Sequence, residues 1–280
     1  MVSLSCLGKN TAFIGSVGKD QFGELLVSTL QSKGVHVNGI VYSDINTTLA
    51  FVHIDEDGER SFSFYRKPGA DMMLSKEDLN LDLVKESKIF HVGSISMTNE
   101  PVREATLTAL QYAKKHQKAI SFDPNLRPLL WESLEKAKKQ ILTIMTYADI
   151  VKISDEELEF LTGVKDISVG AKQIYQQFQT PLLLVTLGSK GSYGFFKGKS
   201  LFVPAISVQP VDTTGCGDAF FAGVLYQIIE NDLLHLNITE IEMEKILRFG
   251  NGMGAYVAGL KGAIPSMPTK IQIDEFLKNR

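Results

Sequence analysis

Asp218 lies in the run Val211 to Ala222, VDTTGCGDAFFA, where a strand end, a glycine turn and the first turn of a helix follow one another without a spacer. Gly215 and Gly217 let the backbone bend close to a ligand, and helical periodicity begins with Ala219, Phe220, Gly223 and Val224. The N–H groups of Gly215, Cys216, Gly217 and the next residues are expected to point outward at the positive end of a helix dipole. A transferring phosphoryl group can be held there. A carboxylate where anions bind is electrostatically awkward. Asp218 is explained if it accepts the proton of a hydroxyl that attacks phosphorus, and equally if it is an acidic residue favoured in a first helical turn. The turn alone leaves both readings open.

Other residues of chemical interest fall where strands end. Asp123, Asn125 and Arg127 follow the apolar run AISF, and a guanidinium there can steady a ligand's hydroxyl or developing negative charge. The competing reading is a loop pinned by Pro124 and Pro128 with the arginine capping a helix. Ser154 to Glu157 is a complete capping box before Leu158, Phe160 and Leu161. Thr186, Gly188, Ser189, Lys190 and Gly191 make a glycine-rich strand exit, which any hairpin could also show. His53 and His91 sit in alternating apolar runs and read as packed or edge residues rather than catalysts.

The elements that must position these residues follow from pattern. The 280 residues, 44% hydrophobic and 22% charged, fit one large soluble α/β domain with a small appendage. Lys plus Arg at 29 against Asp plus Glu at 32 gives a net charge of −3 without a basic run, so no nucleic-acid partner is expected. No apolar run approaches the roughly 20 residues that span a bilayer, and MVSLSCLGKN lacks the basic start and long apolar core expected of a signal peptide. Cys6 and Cys216 form neither a metal spacing nor a disulfide framework, which fits a reducing cytoplasm. Leu4 and Leu7 read as the tail of a helix, residues 12–15 as a buried strand, and Phe22 to Leu30 as a helix ended by Gly34. Thr48 to Ile54 and Ser61 to Tyr65 alternate around a turn at Asp57 and Gly58. From Lys88 onward strands and helices alternate in a βαβα rhythm, which argues for a parallel sheet covered on both faces, with ligands at the carboxyl ends of its strands. The helix over 242–258 carries Gly250, Gly252, Gly254 and Ala255, so a ligand or a second helix comes close to it.

DTTGCGDAF resembles the DTTGAGD signature of the ribokinase (PfkB) family of sugar kinases, with Cys216 in place of the usual alanine. FYRKPGADMML resembles the FYRNPSADMLL stretch of fructokinases, and SFDPNLRPLLW their DPNLRxxLW signature. The resemblance implies a three-layer, Rossmann-like α/β fold in one domain over residues 1–280, with lid strands inserted at about 40–66. It implies that Asp218 is the catalytic base beside an anion hole of Gly215, Cys216 and Gly217, and that Arg66, Arg127 and Asp218 meet the sugar. Ser154, Glu157, Thr186, Gly188, Ser189, Lys190, Gly191, Gly217 and Asn251 would hold ATP, with Glu157 also organising water-coordinated Mg²⁺. GLKGAIPSMP resembles the family's monovalent-cation loop, so oxygens of Asp212, Thr214, Val257, Leu260, Gly262 and Ser266 would hold K⁺. In the family a segment like LGKNTAFIGSVGKDQFG is preceded by a first core strand, an acidic sugar ligand and a Gly-Gly-Asn turn, and an N-terminally shortened chain is therefore expected. The implied activity is ATP-dependent conversion of D-fructose to fructose 6-phosphate in the cytoplasm, by a protein that pairs as a homodimer through the lid sheet. Kinases of ribose, a keto-deoxy sugar acid or a nucleoside, and a non-catalytic binding relative, are the alternatives. A dinucleotide oxidoreductase is disfavoured, since no G-x-G-x-x-G follows the first strand.

Overall fold

The structure is a computed structural model that describes residues 1–54 and 60–280. The turn expected at Asp57 and Gly58 lies outside the described residues, as does the side chain of His53. Helix α1 (Val2–Cys6) leads into β1 (Thr11–Gly18), α2 (Gln21–Ser32) and β2 (Val35–Ser43), and β2 pairs parallel with β1. Asp20 fixes this corner. Its carboxylate caps α2 by accepting the Gly23 amide at 2.8 Å and also takes the Thr47 amide at 2.7 Å, so the loop after β2 is tied to the helix start. Strands β3 (Leu49–Ile54) and β4 (Arg60–Tyr65) form a separate antiparallel pair at the place expected for a lid.

Helix α3 (Leu81–Glu86) opens the main body. It continues through β5 (Ile89–Gly93), α4 (Val102–Lys115), β6 (Ala119–Asp123), α5 (Leu134–Met145) and β7 (Ile150–Ser154). Helices α6 (Asp155–Thr162) and α7 (Ile167–Phe178) precede β8 (Leu182–Thr186) and the hairpin of β9 (Gly191–Phe196) with β10 (Lys199–Pro204). Three helices close the chain: α8 (Cys216–Glu230), α9 (Glu240–Ala258) and α10 (Lys270–Lys278). The main sheet has the order β10-β9-β8-β7-β6-β5. Strands β5 to β8 are mutually parallel, as the βαβα rhythm requires, and β9 and β10 add antiparallel.

Because successive strand residues go to opposite faces, the sheet buries two separate cores. Phe122, Val151, Ile153, Leu183 and Val185 pack with Leu110 of α4, Ile141 of α5, Leu158 of α6 and Ile174 of α7. Ile150, Leu182 and Leu184 pack on the other face with Phe220 and Val224 of α8 and Met243 and Leu247 of α9. The three-layer α/β expectation is met. Helix α8 starts earlier than its apolar periodicity, at Cys216, because Gly215 adopts φ 84° and turns the chain directly into the helix.

Candidate active site

The anion turn stands where the β6 and β7 strand ends meet the start of α8. Asp218 is exposed in the first turn of that helix, on a cleft it shares with His91, Asp123 and Phe221. The amides of Gly217 and Asp218 belong to the turn that intrahelical bonding leaves without partners. The Cys216 amide differs from the expectation: it donates back to the Thr213 carbonyl at 3.3 Å and so is partly used inside the loop. A side chain at Gly217 would reach within 3.2 Å of Lys152 Nζ, and one at Gly215 within 2.9 Å of Ala263. Gly215 is required by its φ of 84° and by Ala263, and at Gly217 the backbone passes close to the Lys152 ammonium.

Beneath α8 the face of β5 to β7 is apolar at the amino ends of the strands and polar from their middle residues onward. His91 Nδ1 lies 3.0 Å from Ser121 Oγ, and its ring meets Phe221 of α8 edge-on at 5.5 Å. Lys152 Nζ contacts Asp123 at 3.2 Å and 3.1 Å, and both side chains are more than nine-tenths buried. Burial raises the Asp123 carboxyl to about 6, against the pull of Lys152, while the nearby charges of Glu157 and Asp218 push it further up. In the sequence Asp123 stands out only by its place after a strand, and Lys152 does not stand out by any motif at all. A signal was present. In IVKIS the only charged residue alternates onto the same face as Ile150, toward the helix that carries the anion turn.

Glu157 joins two loops. Its Oε2 accepts the Ser154 amide at 2.9 Å and Ser154 Oγ accepts the Glu157 amide at 3.1 Å, completing the capping box, while Oε1 accepts the Leu126 amide at 2.8 Å. The Asp-Pro-Asn-Leu-Arg loop is thereby held at the mouth of β7. Arg127 Nη1 donates to the Leu126 carbonyl at 3.1 Å and makes no side-chain cap on the short turn that follows. Thr186 pairs in register with Ser154, and Gly188, Ser189 and Lys190 form an exposed turn at the same sheet edge. Gly191 has φ 129°, and a side chain there would meet the Val203 carbonyl at 2.2 Å.

Asn251, expected at the nucleotide, is buried and fully engaged. It accepts the Ser192 hydroxyl at 2.9 Å and donates to the Val203 and Pro204 carbonyls at 3.0 and 3.2 Å, so it clamps the β9–β10 hairpin onto α9. Its glycine neighbours are explained by helix packing: Gly250 abuts Phe220 of α8 and Gly252 abuts Leu277 of α10. Arg66 is also buried rather than at a free hairpin end. It donates to Asp71 at 2.7 Å, to Thr98 at 2.9 Å and to the Ile95 carbonyl at 3.4 Å, and Thr48 donates to the same Asp71. These bonds anchor the foot of β4 to the segment after β5.

Asp212 draws the proposed cation loop together. Its Oδ1 accepts the Thr214 amide at 2.9 Å and its Oδ2 the Gly262 amide at 3.0 Å, while Ser266 Oγ donates to the Lys261 carbonyl at 3.0 Å. The Val257 carbonyl accepts the Leu260 amide at 3.0 Å in the same turn. Asp212, Thr214, Val257, Leu260, Gly262 and Ser266 thus converge from two chain segments, and a carboxylate, a hydroxyl and carbonyls are hard donors of the kind alkali ions take.

Helix-start amides and a carboxylate at the carboxyl edge of a parallel sheet suit the movement of a phosphoryl group, the chemistry of a small-molecule phosphotransferase. Comparison with known proteins narrows that class. The chain belongs to the pfkB family of carbohydrate kinases, whose defining pattern matches residues 1–270. Probable fructokinase-3 of Arabidopsis thaliana is 44% identical over 280 residues, spanning 100% of this chain and 81% of that protein. A fructokinase from Xylella fastidiosa crystallised with bound ATP superposes with a TM-score of 0.92 at 32% identity, over 99% of this chain and 88% of that one. A Vibrio cholerae fructokinase bound to fructose, ADP and calcium ion gives a TM-score of 0.87 at 34% identity, over 99% and 88% of the two chains.

Proposed function

We propose that the chain transfers the γ-phosphoryl group of ATP to the primary hydroxyl of D-fructose. The observation that carries this reading is the exposed Asp218 in the first turn of α8, in a chain 44% identical to a probable fructokinase. Asp218 takes the hydroxyl proton as the sugar oxygen bonds to the γ-phosphorus, and the bond to the β–γ bridging oxygen breaks with its electron pair leaving on ADP. The amides of Gly215 to Asp218 face the equatorial oxygens, with Gly217 and Asp218 the stronger pair because Cys216 is drawn toward Thr213. Mg²⁺, when bound, would neutralise phosphate charge; such ions keep waters and take few carboxylates, and Glu157 offers one held in place by two amides.

Arg127 is assigned to the sugar or phosphoryl group, and Arg66 to the sugar side through the lid foot that it anchors. Thr186 and the Gly188–Gly191 turn are assigned to the nucleotide, with Ser154 and Asn251 holding the strands and hairpin that frame it. K⁺ is assigned to the loop gathered by Asp212. No helix among the described residues is long and apolar enough to cross a membrane. We place the activity in the cytoplasm, where the thiols of Cys6 and Cys216 stay reduced. A second copy would pair through the lid, where Phe51 and Tyr65 are exposed in an edge-to-face contact; a monomeric mass by light scattering would remove that assignment.

A coupled ADP-release assay tests the reaction, run with fructose, ribose, 2-keto-3-deoxygluconate and a nucleoside, in K⁺ and again in Li⁺. Fructose is expected to give the highest kcat/KM, and Li⁺ to lower it. Preference for another acceptor would correct the substrate, and ligand binding without ADP release for any acceptor would overturn the kinase reading.

A further inference from the structure

A lysine under the helix that bears the anion turn has three features at once. On the α8-facing side of the sheet, Ile150, Leu182 and Leu184 are aliphatic and buried beside the polar His91, Ser121 and Asp123, and Lys152 follows Ile150 on β7 in the same alternation. Lysines are almost never buried unless paired. Asp123 supplies the partner at 3.1 Å, but a buried ion pair seldom repays its own desolvation, and an aliphatic pair of similar volume commonly serves stability as well. The ammonium also sits beside Gly217, in the first turn of α8, where the helix dipole disfavours a cation. Packing and stability therefore give no reason for this lysine.

An anion in the turn would give one. We propose that Lys152 is a positioning residue for phosphoryl transfer: tethered by Asp123 behind Gly217, it holds positive charge against the back of the anion turn, where charge develops on the transferring group. A carbon placed at Gly217 would lie 3.2 Å from the Nζ, a tight contact that the bare glycine avoids. Asp123 is the tether, and it competes with the incoming phosphoryl oxygens for the same ammonium. The like charges of Glu157 and Asp218 act unfavourably on the Asp123 carboxylate, while Lys152 acts favourably on it. This inference rests on the kinase reading above.

The test uses the full chain with Mg²⁺ and two variants, Lys152→Met and the charge-free pair Asp123→Asn with Lys152→Met. Affinity is measured for ADP and for ADP with aluminium fluoride, which mimics the phosphoryl group in flight, alongside kcat, KM and melting temperature. Lys152→Met is expected to leave ADP affinity and both KM values unchanged. It should weaken ADP–aluminium fluoride binding and lower kcat by about a hundredfold, the scale seen when one oxyanion-stabilising group is lost. The double variant is expected to recover the melting temperature, since no buried charge remains, without recovering kcat or aluminium fluoride binding. If the double variant regains both, or if ADP and ADP–aluminium fluoride weaken equally, Lys152 is structural and the proposal fails. Should the single variant not fold, the double variant decides alone. A wild-type chain that binds ADP–aluminium fluoride but leaves fructose unphosphorylated would count against the substrate assignment only, and the two affinities would still judge Lys152.

Discussion

Among the residues, one carboxylate is exposed at the anion turn and another is buried behind it. Asp218 faces the cleft, so Asp218→Asn keeps the shape of the turn and removes the proposed proton acceptor. Turnover should fall by roughly 10²–10⁴-fold with ADP affinity intact by calorimetry; equal loss of both would make Asp218 a structural residue. Asp123 is raised from 3.8 to about 6, chiefly by burial. Its neutral form is favoured in the folded chain, so between about pH 4 and pH 6 the folded chain binds more protons than the unfolded one at this site. This contribution therefore weakens the fold as pH rises through that window. Urea unfolding of Asp123→Asn against the wild type should show the slope of stability on pH become less negative there; an identical slope would place the raised carboxyl elsewhere. The chemical types of Asp218 and Arg127 were legible in the linear order. The Asp123–Lys152 pair was not, because its members lie on neighbouring strands and meet only when β6 and β7 come into register.

At the scale of elements, local pattern carried most of the information. Helices expected over 101–116 and 133–147 are found as Val102–Lys115 and Leu134–Met145, since a 3.6-residue apolar repeat and a cap such as Ser133 suffice to define them. What local pattern left open was the use of small and polar residues inside elements. Asn251 and its glycines serve the β9–β10 hairpin and the packing of α9 on α8 and α10, contacts made with residues distant in sequence. The turn from β8 into β9 offers a test. Gly191→Ala would place a carbon 2.2 Å from the Val203 carbonyl at a φ that side chains rarely adopt, and should destabilise the chain by about 1–3 kcal/mol or more. The urea midpoint is expected to fall and ATP affinity with it, because the Gly188–Lys190 turn hangs from that residue. Unchanged affinity in a destabilised variant would separate this turn from the nucleotide.

For the whole molecule, the proposed reaction puts the sugar at the separate β3–β4 pair and the nucleotide at the edge of the main sheet. Arg66, through Asp71 and Thr98, ties the lid foot to the body, so a sugar held under the lid and a nucleotide at the sheet edge should stabilise one folded unit. At a hundredfold excess over its Kd, one ligand adds about 2.7 kcal/mol to stability. Fructose and ADP together should raise the melting temperature more than either alone. A rise with ADP and none with fructose would indicate that the sugar side of the cleft is not formed in this chain.

The sequence by itself determined the repeating α/β order, the helix-start turn at Gly215 to Asp218 and the family resemblance. Each is written in residues adjacent in the chain, where spacing fixes local geometry. Tertiary structure alone decided that Arg66 and Asn251 are buried and bonded within the fold, that two loops meet at Asp212, and that a lysine stands behind Gly217. Those facts depend on which strands become neighbours and which face each side chain takes, and a strand carries no local mark of the partner that will lie beside it.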